Sequence, residues 1–458
     1  RRAQAAAAGI LLVAAAASCN SSPDHPPAVT GENSGGDQDA TVIFPVVDAS
    51  SPRGAPRDAG TPADALPQDA LAACTSTQAD ANVSLMMCGT RCVNIETDNA
   101  NCGGCNQPCG ITGEACDHGT CKCPTPQSVC SNRCVDTTQD ESNCGFCGHN
   151  CQGNPCTMSL CQASNIAQVT VSTTHIAGIA VDSTNVYWTQ GTGSGTGAFG
   201  KPFAGGSPVP FGGAVDPRGI VVDLTHVYWA DYGNGSISSA ALLGGAPVQI
   251  LPAPDSGAPT GPTALTSDAR NVYWVDSRLG TVNQMPLGGG AVTILATGRL
   301  TPVAIAVDAT SVYWVDYGSA GSNGSVNKVP IGTPDSGMPP ATPLASSEQQ
   351  PSGIAIDAAN VYWTDRTNPG GTVKSVSIRG GAITPIAQNQ GAPYGVAVDS
   401  QFVYWTNYDD NTVLKAPIGG GMAYTLASSQ NNPSAIAVDD KNVYWANQGS
   451  GYILKVAK

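Results

Sequence analysis

The chain has 458 residues, a formal net charge of −14 and only 12% charged residues. That acidic balance argues against nucleic acid or an anionic lipid surface as the main partner, while the length leaves room for two or three domains. After the N-terminus no run approaches the roughly 18 apolar residues that a membrane span requires.

Arg1 and Arg2 precede an apolar stretch from Ala5 to Ala17, the charged start and short apolar centre of a secretory signal. The stretch closes on Ala16-Ala17-Ser18-Cys19. Small residues followed by cysteine resemble the cleavage box of bacterial lipoproteins, with Ala16 where that family usually has Leu. The resemblance implies that residues 1–19 are a signal segment and that the Cys19 thiol accepts diacylglycerol. The alternative is plain cleavage nearby, with Cys19 an incidental thiol. Of the 17 cysteines, the other 16 all fall between Cys74 and Cys161, which leaves Cys19 as the odd one. Residues 20–73 are Pro, Ala, Asp, Ser and Gly with almost no aromatics, so they cannot bury enough surface to offset the entropy of ordering. They are expected to form a disordered stalk.

The 16 remaining cysteines divide into two sets of eight. Residues 74–121 carry Cys74, Cys88, Cys92, Cys102, Cys105, Cys109, Cys116 and Cys121; residues 122–161 carry Cys123, Cys130, Cys134, Cys144, Cys147, Cys151, Cys156 and Cys161. The strings CGTRCVNIETDNANCGGCNQPC and CSNRCVDTTQDESNCGFCGHNC share one spacing and mark a duplication. They resemble the cysteine-rich repeat of the stigma-specific protein family. Modules of about 40 residues cannot be held by core burial alone, and an export signal with an even count favours eight disulfides of unassigned partners. Zinc is the rival reading, since Cys102/Cys105 and Cys144/Cys147 have ligand spacing with His118 and His149 nearby. The equivalent stretches Asp98 to Asn101 and Asp140 to Asn143 read as turns.

Residues 166–458 are dominated by a repeat. The string V-Y-W occurs seven times, with Trp188, Trp229, Trp274, Trp314, Trp363, Trp405 and Trp445 separated by 41, 45, 40, 49, 42 and 40 residues. Six residues before each Trp stands an Asp: Asp182, Asp223, Asp268, Asp308, Asp357, Asp399 and Asp439. A period of about 43 residues fits one four-stranded blade, so the fold class is all-β, a seven-bladed β-propeller. In the copy beginning at Gly353, strands are expected at 353–356, 360–364, 372–378 and 382–387, with Gly380-Gly381 as a hairpin turn. Asp357 should accept backbone N–H groups in the turn that follows it. The last copy stops after its third strand at 452–456, and residues 167–171 ahead of the first copy are expected to supply the missing outer strand and close the ring. Recurrence of Trp at one strand position implies packing between blades rather than sugar stacking. The string Tyr362-Trp363-Thr364-Asp365 is similar to the YWTD propellers of lipoprotein receptors and to NHL and lactonase-like propellers. The fourth letter varies among Asp231, Asp276, Asp316, Asp365, Gln190, Asn407 and Asn447.

Catalytic strings are absent: no G-x-S-x-G elbow, P-loop or HExxH occurs. The propeller region holds one Glu, Glu348, and two His, His175 and His226, a poor supply for metal or acid–base chemistry. Asp409-Asp410-Asn411 reads as an ordinary polar loop rather than a calcium site. The expectation is therefore a non-catalytic, monomeric cell-surface binding protein with neither cofactor nor metal, lipid-anchored in the cell envelope or secreted, whose partner is a protein or a glycan. The alternative is a lactonase-like propeller hydrolase or lyase. Loops joining the second to the third strand, and the fourth strand to the next blade, share one face. Arg218, Tyr232, Arg278, Tyr317, Arg366, Tyr394 and Tyr408 are assigned to these loops as the candidate binding set, because Tyr and Arg are enriched at binding hot spots.

Overall fold

A computed structural model describes residues 84–458 except 90, 170–174, 192–194, 255–259, 320–322 and 332–339, together with the backbone of Ala6–Ala7 and Ile10–Leu11. Cys19, the stalk, Cys74 and the body of the expected signal segment lie outside the described residues. Every regular element described is a strand, and no helix among the described residues is long and apolar enough to cross a membrane. The chain divides into two compact units, one holding the first cysteine module up to Gly110 and again over Glu114–Lys122, the other holding Cys123–Lys458.

Each cysteine module is two short hairpins stapled by cystines. In the first, Leu85–Cys88 pairs with Arg91–Asn94 and Ala115–Asp117 with Thr120–Lys122. Its bridges are Cys88–Cys105, Cys102–Cys116 and Cys109–Cys121, and Cys92 is disulfide-bonded as well. In the second, the bridges are Cys123–Cys134, Cys130–Cys147, Cys144–Cys156 and Cys151–Cys161. Numbering the eight cysteines in order, the bridges shared by both modules are two to five, four to seven and six to eight. The two cysteines of each C-x-x-C therefore belong to different bridges, and the sulfurs that gather within 4.8 Å of one another, such as Cys144, Cys151 and Cys156, are already paired. Asp98 and Asp140 each cap their turn, accepting from Ala100 N at 2.8 Å and Ser142 N at 2.9 Å. Disulfides in this number fit an exported chain that folds in an oxidising compartment.

The second unit contains seven four-stranded antiparallel sheets. The blade of the fifth repeat runs Pro351–Ile356, Asn360–Asp365, Gly371–Ser377 and Thr384–Gln390 from the axis outward. Gly380 and Gly381 have φ of 83° and 127°, the left-handed backbone that the tight turn requires. The outermost strand starts two residues later than expected, because the turn extends past the glycine pair. In the seventh blade Pro433–Val438, Asn442–Asn447 and Tyr452–Ala457 are completed by Ser164–Gln168, which pairs antiparallel with Tyr452–Ala457. That strand lies three residues ahead of the expected position. Ala167, and Val169 just past the strand, are buried on the same face, and this phase fixes the register.

The repeated Asp does the same thing in every blade. Its Oδ1 accepts the N–H groups of the residues two and three further on, at 2.6–2.8 Å, and its Oδ2 accepts the hydroxyl of the V-Y-W tyrosine at 2.6–2.9 Å. The adjoining tryptophans are 0–3% exposed, which assigns them to packing. Burial first, and the facing carboxylate second, push all seven tyrosine pKa values up. Since the folded state holds these protons more tightly than the unfolded chain, the stability they supply is complete below about pH 10 and is lost as pH rises above it. In an alkaline titration followed by phenolate absorbance, these seven tyrosines are expected to ionise only together with loss of near-ultraviolet dichroism. Ionisation of the whole set in a still-folded protein contradicts the clamp. A second expectation concerns closure: deleting residues 164–168 removes a strand ladder and the burial of Ala167, about 4 kcal/mol in all. The melting temperature should fall by roughly 10 °C, whereas deleting five stalk residues leaves it unchanged.

Candidate functional site at the axial mouth

From the second blade onward every innermost strand opens with Pro, one variable residue and a small residue: Pro217-Arg218-Gly219, Pro262-Thr263-Ala264, Pro302-Val303-Ala304, Pro351-Ser352-Gly353, Pro393-Tyr394-Gly395 and Pro433-Ser434-Ala435. The third position is small because the next blade's backbone abuts it; a Cβ on Gly395 would stand 2.4 Å from the Ser434 carbonyl oxygen. The second position is free to vary. Arg218, Thr263, Val303, Ser352 and Tyr394, with Ala177 of the first blade, line a cavity of about 610 Å³ into which Tyr317, Arg366 and Gln448 also reach from the loops between second and third strands.

Four of the seven residues assigned from sequence thus meet at one mouth: Arg218, Tyr317, Arg366 and Tyr394. Two of them, Arg218 and Tyr394, are not in loops as expected but are the second residues of innermost strands, because Pro217 and Pro393 already pair with Asp231 and Asn407. The remaining three stand outside the lining. Arg218 and Arg278 place their guanidinium carbons 3.6 and 3.9 Å from the centroid of the Tyr232 ring. Arg278 also donates to the Tyr232 and Thr260 carbonyls at 3.0 and 2.7 Å, so this trio clasps neighbouring blades. Tyr408 backs Arg366, whose guanidinium carbon lies 4.8 Å from the Tyr394 ring and 5.1 Å from that of Tyr408. Arg218 has Asp216 at 3.1 Å. Arg366 has no carboxylate partner among the described residues, and it borders the cavity from a half-buried position. No Asp, Glu or His is among the described residues that line the cavity. Sequence reasoning missed Thr263, Ser352 and Gln448; for the first two the signal available was the single variable letter after each strand-opening Pro, and for Gln448 it was its place directly after the second strand of its blade.

Other acidic groups are occupied by the scaffold. Asp409 accepts from Asn368 Nδ2 at 2.7 Å and Asp410 from Gly391 N at 2.7 Å. Glu348 is buried, taking the Trp363 indole N–H at 3.0 Å and Lys374 Nζ at 2.7 Å; Lys374 also reaches Asp365 at 2.7 Å. The sixth and seventh blades build the same place without charge: Gln390 receives Trp405 and Asn407, and Gln430 receives Trp445 and Asn447. The fourth blade pairs Asp316 with Arg299. With two carboxylates to one amine, Asp365 is pushed up to about 7, by burial first and by the neighbouring Glu348 next.

No protein-family model and no curated protein sequence matches the chain. Among solved structures it is similar to a catalytically inactive virginiamycin B lyase from Staphylococcus aureus with quinupristin, at 13% identity and a TM-score of 0.52, over 65% of this chain and 99% of that one. A streptogramin B lyase structure aligns at 14% identity with a TM-score of 0.54, over 64% and 97%. The shared feature is the β-propeller. A nidogen/laminin complex aligns at 21% identity with a TM-score of 0.39, over 54% and 89%. At these identities the likeness to the two lyases is one of propeller fold alone.

Asp365 carries a pH dependence whose sign follows from its shift. A folded pKa raised from 3.8 to about 7 gives stability that is fully present at acid pH and is lost as pH rises through about 7. Asp365→Asn, which copies the sixth and seventh blades, should remove that decline, so its melting temperature should gain on the native chain by a few degrees between weakly acid and weakly alkaline buffers. Parallel curves across the range contradict the assignment.

Proposed function

We propose that this chain is an exported, non-catalytic binding protein held at the cell envelope by lipid on Cys19, with the propeller's axial mouth as its ligand site. The observation that carries the reading is the pairing of an unpartnered guanidinium, Arg366, with Tyr394, Tyr317 and Arg218 around one cavity lined by no acid or histidine among the described residues. Such a lining attracts and orients a ligand and supplies no general base. Its charge suits an acidic protein segment or a carboxylated glycan. The monomeric seven-bladed ring is the scaffold, and the cysteine modules and stalk set its distance from the membrane.

A screen of the full chain against glycans, peptides and cell-envelope fractions identifies the ligand. The double variant Arg366→Ala with Tyr394→Ala is then expected to weaken binding by about tenfold or more while shifting the melting temperature little. Undiminished binding by the folded variant removes the axial mouth as the site. Cys19→Ala should move the protein from the membrane fraction to the soluble one, and continued membrane association defeats the anchor. The competing reading, a propeller lyase, rests on the fold shared with the streptogramin B lyases. Incubation of the full chain with quinupristin should leave the compound intact; its breakdown reverses the non-catalytic assignment.

A further inference from the structure

Away from the axis, within the unit Cys123–Lys458, the second cysteine module packs beside the sixth blade and leaves a cavity of about 660 Å³. Its walls are apolar and largely aromatic: Phe146 and His149, stacked with centroids 4.7 Å apart and planes within 2°, on the module side, and Phe402, Tyr424 and Leu426 on the blade side. Among the described residues Lys415 is the one Lys or Arg that lines it. Only 5% of Lys415 is exposed, and Nζ lies 4.6 Å from the Phe402 ring centroid and 5.6 Å from that of Phe146. No hydrogen-bond acceptor or carboxylate holds this amine among the described residues.

Isolation combined with burial is not a property of the repeat: Lys455, at the same register opposite Tyr444 in the seventh blade, lies over the Phe203 ring but is only half-buried. Lys328 stands at the same register in the fourth blade, opposite Tyr313 as Lys415 stands opposite Tyr404, and it donates to the Ile378 carbonyl at 2.6 Å. The nearby carboxylate, Asp399, is engaged by Lys458 at 2.6 Å. An ammonium largely desolvated by aromatic walls and without an acceptor is costly, and burial accordingly pushes the Lys415 pKa down, with Asp399 opposing and Lys458 reinforcing the shift. A ligand carboxylate at Nζ supplies the missing acceptor and restores the charged form. A single cation suits a carboxylate better than a phosphate, which needs several. Flat aromatic walls on both sides suit an aromatic body.

We propose that this cavity is a second binding site, for a small aromatic monocarboxylate, with the ring held between Phe146 and Phe402 and the carboxylate on Lys415. The test is calorimetric titration of the full chain with naphthoate, and with naphthalenemethanol as its neutral counterpart. Naphthoate is expected to bind, and Lys415→Met, which keeps the length of the side chain and removes its charge, should weaken it by about tenfold or more. Naphthalenemethanol should bind the native chain and the variant equally. Phe146→Ala, at a residue half exposed in the free protein, gives an independent check that does not disturb the blade, and it should also lower naphthoate affinity. Failure of the native chain to bind naphthoate, or undiminished affinity in either folded variant, overturns the proposal.

Discussion

Each blade depends on one carboxylate. The Asp that precedes V-Y-W ties the first hairpin at both ends: one oxygen fixes the turn through two backbone N–H groups, and the other takes the tyrosine hydroxyl from the second strand. A phenol hydroxyl buried without a partner is unfavourable, and so is a desolvated carboxylate without donors. Together they satisfy each other, and the ring can be buried. With Tyr fixed, the next residue, Trp, is directed between blades, where the seven indoles make up a large share of the buried aromatic surface. Seven repeats produce seven four-stranded sheets with the same clamp for this reason.

The clamp leaves other positions free, and the chain uses them differently from blade to blade. At the buried place beneath the mouth the fourth blade sets Arg299 against Asp316, the fifth sets Lys374 against Asp365 and Glu348, and the sixth and seventh use neutral Gln–Asn pairs. These are alternative solutions to one requirement, an acceptor for the buried Trp indole, and they leave Oδ1 of Asp365, Asn407 and Asn447 buried without a donor. In the fifth blade two carboxylates share one amine and Asp365 is pushed up to about 7; burial pushes Asp316 of the fourth blade up as well, with Arg299 opposing the shift. At the mouth itself the chemistry is carried by the variable residue after each strand-opening Pro and by the loops between second and third strands, so a near-symmetric ring acquires an asymmetric lining with Arg218 on an innermost strand and Arg366 on a loop. Scaffold and site are thereby separable.

The cysteine modules meet the folding requirement by other means. Their hairpins are two to four residues per strand, too short to bury an adequate core, and each bridge closes a loop of 10–17 residues. Loops of that size gain about 3 kcal/mol per cystine. The second module then adds its buried cystines to the same apolar cluster as the sixth and seventh blades.

The sequence by itself determined the seven-bladed ring, because a fixed Asp-to-Trp spacing and a period near one blade are local properties that any copy displays. It also determined closure by a strand from ahead of the first repeat, since a three-stranded last copy leaves one vacancy, and the duplication of the cysteine frame. Only the tertiary structure decided which sulfur meets which, because spacing is compatible with many pairings and the hairpins select one. It also divided the assigned Tyr and Arg residues. Loop membership alone could not tell Tyr232, whose ring is flanked by two guanidinium groups, from Arg366, which lines the mouth, and Tyr394 lines it from a strand rather than a loop. The isolation of Lys415 was likewise invisible along the chain: Lys328 has the same register and a different fate, set by which neighbouring blade or module presents a carbonyl and which presents an aromatic wall.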